Sequence, residues 1–225
     1  MIRISPSGVM AQPGAAEQLR EEFVETGCAM MRGFMTAPLL ELLLRQLETA
    51  HFETTDEIVK TNGRVFGTTL KLRQSEPGVV ALNFVLNRPE LFELARQIGG
   101  TPALGNFLGR LHRTTAGSDQ QIEWHHDHAD FRSLGLDINL SGEAYEGGLF
   151  QIRDSDLRIR REIKEWDPGD AFLFRIGNGW QHRLTRVESG RRTVGVGWFR
   201  TEPDWQLLTS ARVRSGIVTT MESTR

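Results

Sequence analysis

The feature that most constrains the fold is a series of short strand patterns that begins after residue 104. Turn sequences such as Ser141-Gly142 and Ser189-Gly190 separate several of them. Short strands at this spacing are typical of a sandwich, a jelly roll or a barrel. The eight predicted strands cover Asn106–Thr115, Ile122–Asp127, Ser133–Leu140, Gly148–Arg153, Leu157–Ile163, Ala171–Arg175, Gln181–Val187 and Arg192–Arg200.

The first 104 residues are richer in helix patterns. The apolar spacing predicts a helix over residues 15–26 that stops at Gly27, and a second that begins with Thr36 as its N-cap and Pro38 in its first turn. A third helix is predicted over Pro89–Ile98, ended by Gly99-Gly100. We expect these helices to pack outside the β core. The strand predictions in this part are residues 28–35, Val65–Thr69 and Val79–Asn83.

Length and composition favour one soluble domain over residues 1–225. Its expected parts are a helix-rich region (1–104), a β core (105–200) and a C-terminal extension (201–225). The 27 basic and 29 acidic residues nearly cancel and form no long run, which argues against a nucleic-acid partner. No apolar stretch is long enough to span a membrane, so no membrane association is expected. The single cysteine, Cys28, excludes a thiolate metal site and fits a reducing cytoplasm.

Three of the six histidines fall within the segment WHHDHAD, residues 124–130. Alternate side chains of a strand share a face, so His125 and Asp127 would project together, with Cα atoms about 6.6 Å apart. Both can then bind one ion through bonds of about 2.1 Å. A third ligand is best sought in His182, on a later predicted strand. Two histidines and one carboxylate are the ligand set of non-haem Fe(II) oxygenases.

Further motifs on the following strands strengthen this prediction. They are YEGGLF (145–150), DPGDAFLF (167–174) and HRLTRVESGRRTVGVGWF (182–199). Together with WHHD, they resemble the Fe(II)/2-oxoglutarate-dependent oxygenase superfamily, and especially its prolyl-hydroxylase-like branch. The resemblance covers residues ~105–200. It implies a mainly β protein with flanking helices, built on a double-stranded β-helix (jelly roll) core, with the N-terminal helices packed on the major sheet.

The resemblance also implies roles for individual residues. His125, Asp127 and His182 would bind the iron, and Arg192 would bind the distal carboxylate of 2-oxoglutarate through its planar guanidinium. Asn139 and Thr115 stand where relatives place polar side chains at the co-substrate, although relatives often have tyrosine at the position of Thr115. The cofactors implied are Fe(II), 2-oxoglutarate and O2.

The reaction implied is hydroxylation, or desaturation, of an unactivated C–H bond with release of succinate and CO2. Family halogenases lack the carboxylate ligand that Asp127 supplies, so halogenation is not expected. The partner expected is a small-molecule, amino-acid or peptidyl substrate, recognised in the region of residues 51–88. The sequence does not specify the oligomeric state.

Alternative interpretations of the same histidines remain open. His128 and Asp130 form a second H-x-D pair that can replace His125 and Asp127 as the metal pair. His126, His128 and Asp130 match most of the motif of metallo-β-lactamase-like zinc hydrolases, although Phe131 stands in place of its last histidine. A cupin-type or non-catalytic metal-binding protein is a third possibility, which Arg192 argues against.

Overall fold

A computed structural model describes residues 1–58, 64–118, 120–127, 131–177 and 179–201 of the chain. Within these residues the fold is mainly β, with four helices. The helices are α1 (Ala15–Thr26), α2 (Ala37–Glu48), α3 (Pro77–Leu86) and α4 (Pro89–Gly99). The first seven strands are β1 (Ile2–Ser5), β2 (Gly8–Ala11), β3 (Cys28–Met31), β4 (Glu53–Ile58), β5 (Val65–Lys71), β6 (Asn106–Thr115) and β7 (Ile122–His125). The others are β8 (Arg132–Asn139), β9 (Glu146–Gly147), β10 (Phe150–Arg153), β11 (Ile159–Ile163), β12 (Ala171–Arg175), β13 (Gln181–Leu184), β14 (Val187–Ser189) and β15 (Arg191–Arg200).

Eleven strands form one antiparallel sheet that folds over on itself as a double-stranded β-helix. Its strand order is β11-β10-β13-β7-β5-β6-β15-β8-β12-β3, with β4 paired to β5. Strands β6, β15, β8, β12 and β3 form the larger face, and β7, β13, β10 and β11 the smaller one. The predicted fold class is confirmed.

The helices cover the outer face of the larger sheet. Leu39, Leu43 and Leu47 recur every four residues along α2 and are buried in the same apolar core as Leu136 and Ile138 of β8. A second apolar cluster lies inside the barrel, where aromatic rings such as Phe172 and Phe174 pack together. The alternation along each strand therefore separates a helix-facing core from an interior that surrounds the site.

The prediction of a strand at Val79–Asn83 is wrong, because these residues form the middle of α3. Pro77 occupies the first turn, and the buried positions Val79, Leu82 and Leu86 have helical spacing. The α3 side chains also satisfy the edge of β6 that β5 leaves uncovered: Gly109 N–H donates to Asn83 Oδ1 (2.7 Å), and Asn83 Nδ2 donates to Gly109 O (3.0 Å).

Two predicted strand ends differ from the structure at the site. Strand β7 ends at His125, so Asp127 follows the strand instead of lying on it. The predicted strand Gln181–Val187 is divided into β13 and the start of β14. No helix of the described part is long and apolar enough to cross a membrane.

Candidate metal centre and its cavity

Strands β7 and β13 place the two candidate histidine ligands directly opposite each other. His125 pairs with His182 in the register of the two strands, and their ring centroids are 4.2 Å apart. Asp127, just beyond the end of β7, returns to the same point: its Oδ1 is 3.8 Å from His125 Nε2 and its Oδ2 is 3.4 Å from His182 Nε2. The ligand atoms of the three residues all lie within 4.8 Å of one another.

These donors fit a divalent metal ion. Ligand atoms that coordinate one ion at right angles through bonds of about 2.1 Å lie about 3 Å apart. The two histidine–carboxylate separations, 3.4 and 3.8 Å, are within one ångström of that value. The donor set of two imidazoles and one carboxylate leaves one face of an octahedral ion free.

Hydrogen bonds orient two of the ligands. The 2.8 Å contact between His125 Nδ1 and Glu123 O favours a proton on Nδ1, which leaves the Nε2 lone pair directed at the centre. Trp198 Nε1 donates to Asp127 Oδ2 at 2.6 Å. These contacts restrict how the imidazole and the carboxylate can rotate.

The electrostatics of the pocket keep His125 and Asp127 in the forms that bind a metal. Burial, together with the neighbouring His182, lowers the pKa of His125 to about 4, so its imidazole is neutral at pH 7. Burial opposes ionisation of Asp127, but the nearby imidazoles of His182 and His125 and the hydrogen bond from Trp198 hold its pKa well below the usual range.

The three ligands border a cavity with an empty volume of about 690 Å³, part of it open to solvent. Phe66 stacks on the His125 ring at 4.4 Å, and Phe150 and Phe174 have ring centroids 5.5 and 4.9 Å from that of His182. These apolar walls lower the local dielectric and strengthen electrostatic interactions with a bound ligand.

Arg192 lies inside the barrel in the wall of this cavity. Its side chain is 3% exposed, and its Nε and one Nη are buried without a hydrogen-bond partner. Gly148 makes room for it, since a Cβ there would lie 2.9 Å from Arg192 Cδ. A buried guanidinium with unused donors is suited to bind an anion that enters the cavity.

A buried carboxyl group faces Arg192. Asp137 Oδ2 is 3.6 Å from Arg192 Nη2, and Asp137 Oδ1 has no hydrogen-bond partner. Burial raises the pKa of Asp137 to about 6, although the charge of Arg192 opposes this rise. The alternation along β8 predicts that Asp137 faces the interior. The sequence does not predict its role, because Arg192, which lies beside it in the fold, is far away in the chain.

The structure does not bring the other two candidate co-substrate residues into the cavity wall. The amide of Asn139 is used locally: Nδ2 donates to Trp166 O (2.9 Å) and Oδ1 accepts from Ser141 N–H (3.0 Å). Thr115 lies at the end of β6, and its neighbour Thr114 lines the cavity opposite Arg192, with a buried Oγ1 that has no partner. The β6–β15 register determines which of the two threonines lies in the cavity wall.

The remaining histidines have different surroundings. His112 lines the cavity from β6; its Nε2 has no hydrogen-bond partner, and burial lowers its pKa well below the usual value. Its inward position also depends on the β6–β15 register. His126 faces a separate surface groove beside Trp180. The alternative metal pair His128 and Asp130 lies outside the described residues.

Comparison with known proteins gives matches at the level of structure. No protein-family model matches the sequence, and no curated protein is similar enough to count as a relative. A 2OG-Fe(II) oxygenase-family oxidoreductase from Burkholderia pseudomallei superposes with a TM-score of 0.64 at 16% identity, covering 86% of this chain and 94% of that one. A Pseudomonas putida prolyl-4-hydroxylase gives 0.60 at 17% identity, over 82% and 98% of the two chains. The α-ketoglutarate-dependent epimerase SnoN of nogalamycin biosynthesis gives 0.61 at 15% identity, over 84% of each chain. The chain thus has the fold of these oxygenases.

Proposed function

We propose that the protein is an Fe(II)- and 2-oxoglutarate-dependent dioxygenase that hydroxylates an unactivated C–H bond of its substrate. The observation that carries the proposal is one cavity that combines a convergent His125, Asp127 and His182 with the buried Arg192. The first set fits a metal that needs open coordination positions, and the second fits the distal carboxylate of a dicarboxylate co-substrate. The fold shared with 2-oxoglutarate-dependent enzymes supports the same combination.

Some residues of the cavity would bind the iron and the co-substrate, and others would exclude water. His125, Asp127 and His182 would hold the iron, and Arg192 would hold the co-substrate carboxylate, with Thr114 Oγ1 as a further hydrogen-bonding group beside it. Bound Fe(II) and 2-oxoglutarate supply the oxidising chemistry with O2, and succinate and CO2 are released. The phenylalanine walls keep water from the reacting centre, while Trp198 fixes the orientation of Asp127.

The test is anaerobic addition of Fe(II) and 2-oxoglutarate, followed by the weak visible charge-transfer band of the chelate. We expect the band in the wild type and its loss in His182→Ala, because one of the three ligands is removed. His51→Ala is the matched control: His51 is exposed and outside the cavity, so this variant should keep the band. A wild type without the band, or an undiminished band in His182→Ala, would rule out the proposed site.

Once a substrate is identified, isotopically labelled O2 separates the possible outcomes. Hydroxylation places one labelled oxygen atom in the product, whereas desaturation and epimerisation leave the product unlabelled. The proposed hydroxylation predicts the label in the product. Halogenation is not expected, since Asp127 supplies the carboxylate ligand that halogenating enzymes lack.

A further inference from the structure

An ion pair that the proposed function does not use lies at the wall of the cavity. Lys71 Nζ of β5 is 2.6 Å from Glu57 Oε1 of β4, and the two side chains are only 13% and 17% exposed. Glu57 lines the same cavity as the metal ligands. Strands β4 and β5 are paired and belong to the region, residues 51–88, where substrate recognition is expected. The ion pair is therefore a candidate for binding the substrate.

Two sets of contacts place Glu57 beside the metal centre. Glu57 lies opposite the residue that follows Phe66 in the β4–β5 register, and Phe66 stacks on the His125 ring at 4.4 Å. Arg132 Nη1 is 3.6 Å from Asp127 Oδ1. Burial lowers the pKa of Arg132, and the negative charges of Asp127 and Glu57 both oppose that decrease. Glu57 thus faces the same space as two of the three candidate metal ligands.

The cationic partner of the pair lies beside His112. Lys71 and His112 are opposite each other in the β5–β6 register. His112 lines the cavity, and its Nε2 has no hydrogen-bond partner among the described residues. Burial lowers the pKa of His112 well below the usual value, and the charge of Lys71 has the next largest effect. A neutral imidazole is therefore next to the ion pair in this part of the wall.

Stability is a weak explanation for the ion pair. The cost of removing two charges from water can exceed what one contact returns, and well-packed apolar side chains are often at least as stable. The contact is also incomplete: in spite of the short distance to Lys71, Glu57 Oε1 makes no hydrogen bond within the described residues. An ammonium group has three N–H donors and a carboxylate accepts several hydrogen bonds, so one contact leaves both groups able to bind a ligand.

The best complement to a cation and an anion in contact is a ligand that carries the same two charges close together. In a free α-amino acid, the ammonium and carboxylate groups are bonded to the same carbon atom. When such a molecule lies antiparallel to the ion pair, its ammonium group faces Glu57 and its carboxylate faces Lys71. A ligand with one charge gains less, because one member of the pair attracts it and the other repels it.

On the basis of the proposed function, we infer that the substrate is a free α-amino acid whose ammonium and carboxylate groups bind Glu57 and Lys71. Its side chain then lies against the apolar lining, to which Phe66 and Ile122 belong, with a C–H bond directed at the free face of the metal. The ion pair determines specificity, because the same residue within a peptide has lost both charges and leaves Glu57 and Lys71 without charged partners.

The test follows the visible band of the anaerobic Fe(II)·2-oxoglutarate complex, which shifts when a ligand binds near the metal. The first probes are L-alanine, L-valine, L-leucine and L-phenylalanine, because the lining is apolar. The amino acid that binds most tightly is then compared with three analogues: the acid without the ammonium group, the amine without the carboxylate, and the N-acetyl amide, which imitates a peptidyl residue. We expect the amino acid to bind at least tenfold more tightly than each analogue.

Two substitutions assign the binding to the ion pair. Glu57→Gln should weaken binding of the amino acid by tenfold or more without weakening that of the acid lacking the ammonium group, whereas Lys71→Gln should weaken both. Glu53→Gln is the matched control, since Glu53 is a more exposed glutamate of the same strand that is ion-paired with Arg73. This variant should bind as the wild type does. The band without probe reports that each variant is folded and loaded.

Three results would overturn the inference: a band that no amino acid shifts, an N-acetyl amide that binds as tightly as the amino acid, or unchanged amino-acid binding in both Glu57→Gln and Lys71→Gln. Absence of the band from the wild type would instead contradict the proposed function. Calorimetric titration of the same amino acids into the protein needs no band, and in that event it tests the inference separately.

Discussion

Arg192 and Asp137 form a buried pair of opposite charge in the wall of the cavity. Each side chain is almost fully buried, and the 3.6 Å separation leaves donors and an acceptor unused on both. Burial of two charges costs more than a loose contact of this kind returns. The pair is therefore better explained by ligand binding than by stability, with Asp137 adjusting how strongly Arg192 attracts an anion.

Protonation of Asp137 should couple co-substrate binding to pH. With a pKa of about 6 in the free protein, Asp137 is mostly ionised at pH 7.5, and its charge opposes the arriving carboxylate. The bound anion raises this pKa further, so binding takes up a proton and the affinity for 2-oxoglutarate increases as pH falls from 7.5 towards 6. The increase can approach tenfold per pH unit. The other charged groups that act on Asp137 are Arg192, His182 and Asp127.

Asp137→Asn isolates this effect. We expect the variant to bind 2-oxoglutarate more tightly than the wild type at pH 7.5 and with little dependence on pH. Calorimetric titration of the Mn(II)-loaded protein at several pH values measures the affinity for 2-oxoglutarate and its pH dependence. Arg192→Ala is the reference, since it should lose roughly 1.5–3 kcal/mol of binding, the range for hydrogen bonds to charged groups. A pH dependence that persists unchanged in Asp137→Asn would assign the proton to another group.

Helix α3 shows how an element can stabilise the site without contacting it. Strand β6 carries His112 and Thr114 at one end, and its other end borders α3, where Asn83 pairs with both backbone groups of Gly109. Asn87 does the same for Phe107, donating to its O and accepting from its N–H, both at 2.8 Å. These side chains replace the strand neighbour that β5 does not provide at this end.

Truncation of Asn83 should therefore destabilise the protein by about 1–3 kcal/mol, the cost of leaving buried backbone groups unpaired. Chemical denaturation of Asn83→Ala measures the free energy of unfolding. Gln18→Ala serves as the control, because Gln18 is an exposed residue of α1 and its replacement should change stability by less than about 0.5 kcal/mol. Equal effects of the two substitutions would mean that the Asn83 contacts contribute nothing.

Local sequence signals predicted the elements that depend on local chemistry. Thr36 and Pro38 begin α2, and Gly27, with φ 75°, ends α1 as expected. Segment Val79–Asn83 was misjudged because its β-branched residues favour a strand, and only Pro77 and the burial spacing indicate a helix. The short strand β1 and the strongly polar β4 gave no clear apolar alternation.

For the candidate site, too, local sequence patterns predict some residues and not others. The H-x-D pair is local, so His125 and Asp127 could be recognised from the sequence, and a single later histidine completed the set. The choice between Thr114 and Thr115 depends on the β6–β15 register, which no local pattern determines. The opposition of Asp137 to Arg192, and the stacking of Arg132 on Trp198, arise only when distant strands become neighbours.

At the scale of the whole molecule, the candidate metal ligands come from separate parts of the chain that the fold brings together. His182 belongs to β13, His125 ends β7, and Asp127 follows β7 at the open end of the barrel. The unfolded chain does not keep these donors together, so a metal binds the folded state far more tightly. Binding must then increase the free energy of unfolding by mass action.

Thermal unfolding with and without Mn(II), an oxygen-stable substitute for Fe(II), measures this coupling. At a metal concentration about 100 times the dissociation constant, the gain is about 2.7 kcal/mol, which corresponds to a rise of about 5–10 °C in Tm for a chain of this size. We expect 2-oxoglutarate to add a further rise only when the metal is present, because it would bind the metal and Arg192 together. His51→Ala should show both rises, and His182→Ala should show neither. If His182→Ala gains as much stability from Mn(II) as the wild type does, the metal binds elsewhere on the protein. The metal and Arg192 then do not form one site for 2-oxoglutarate.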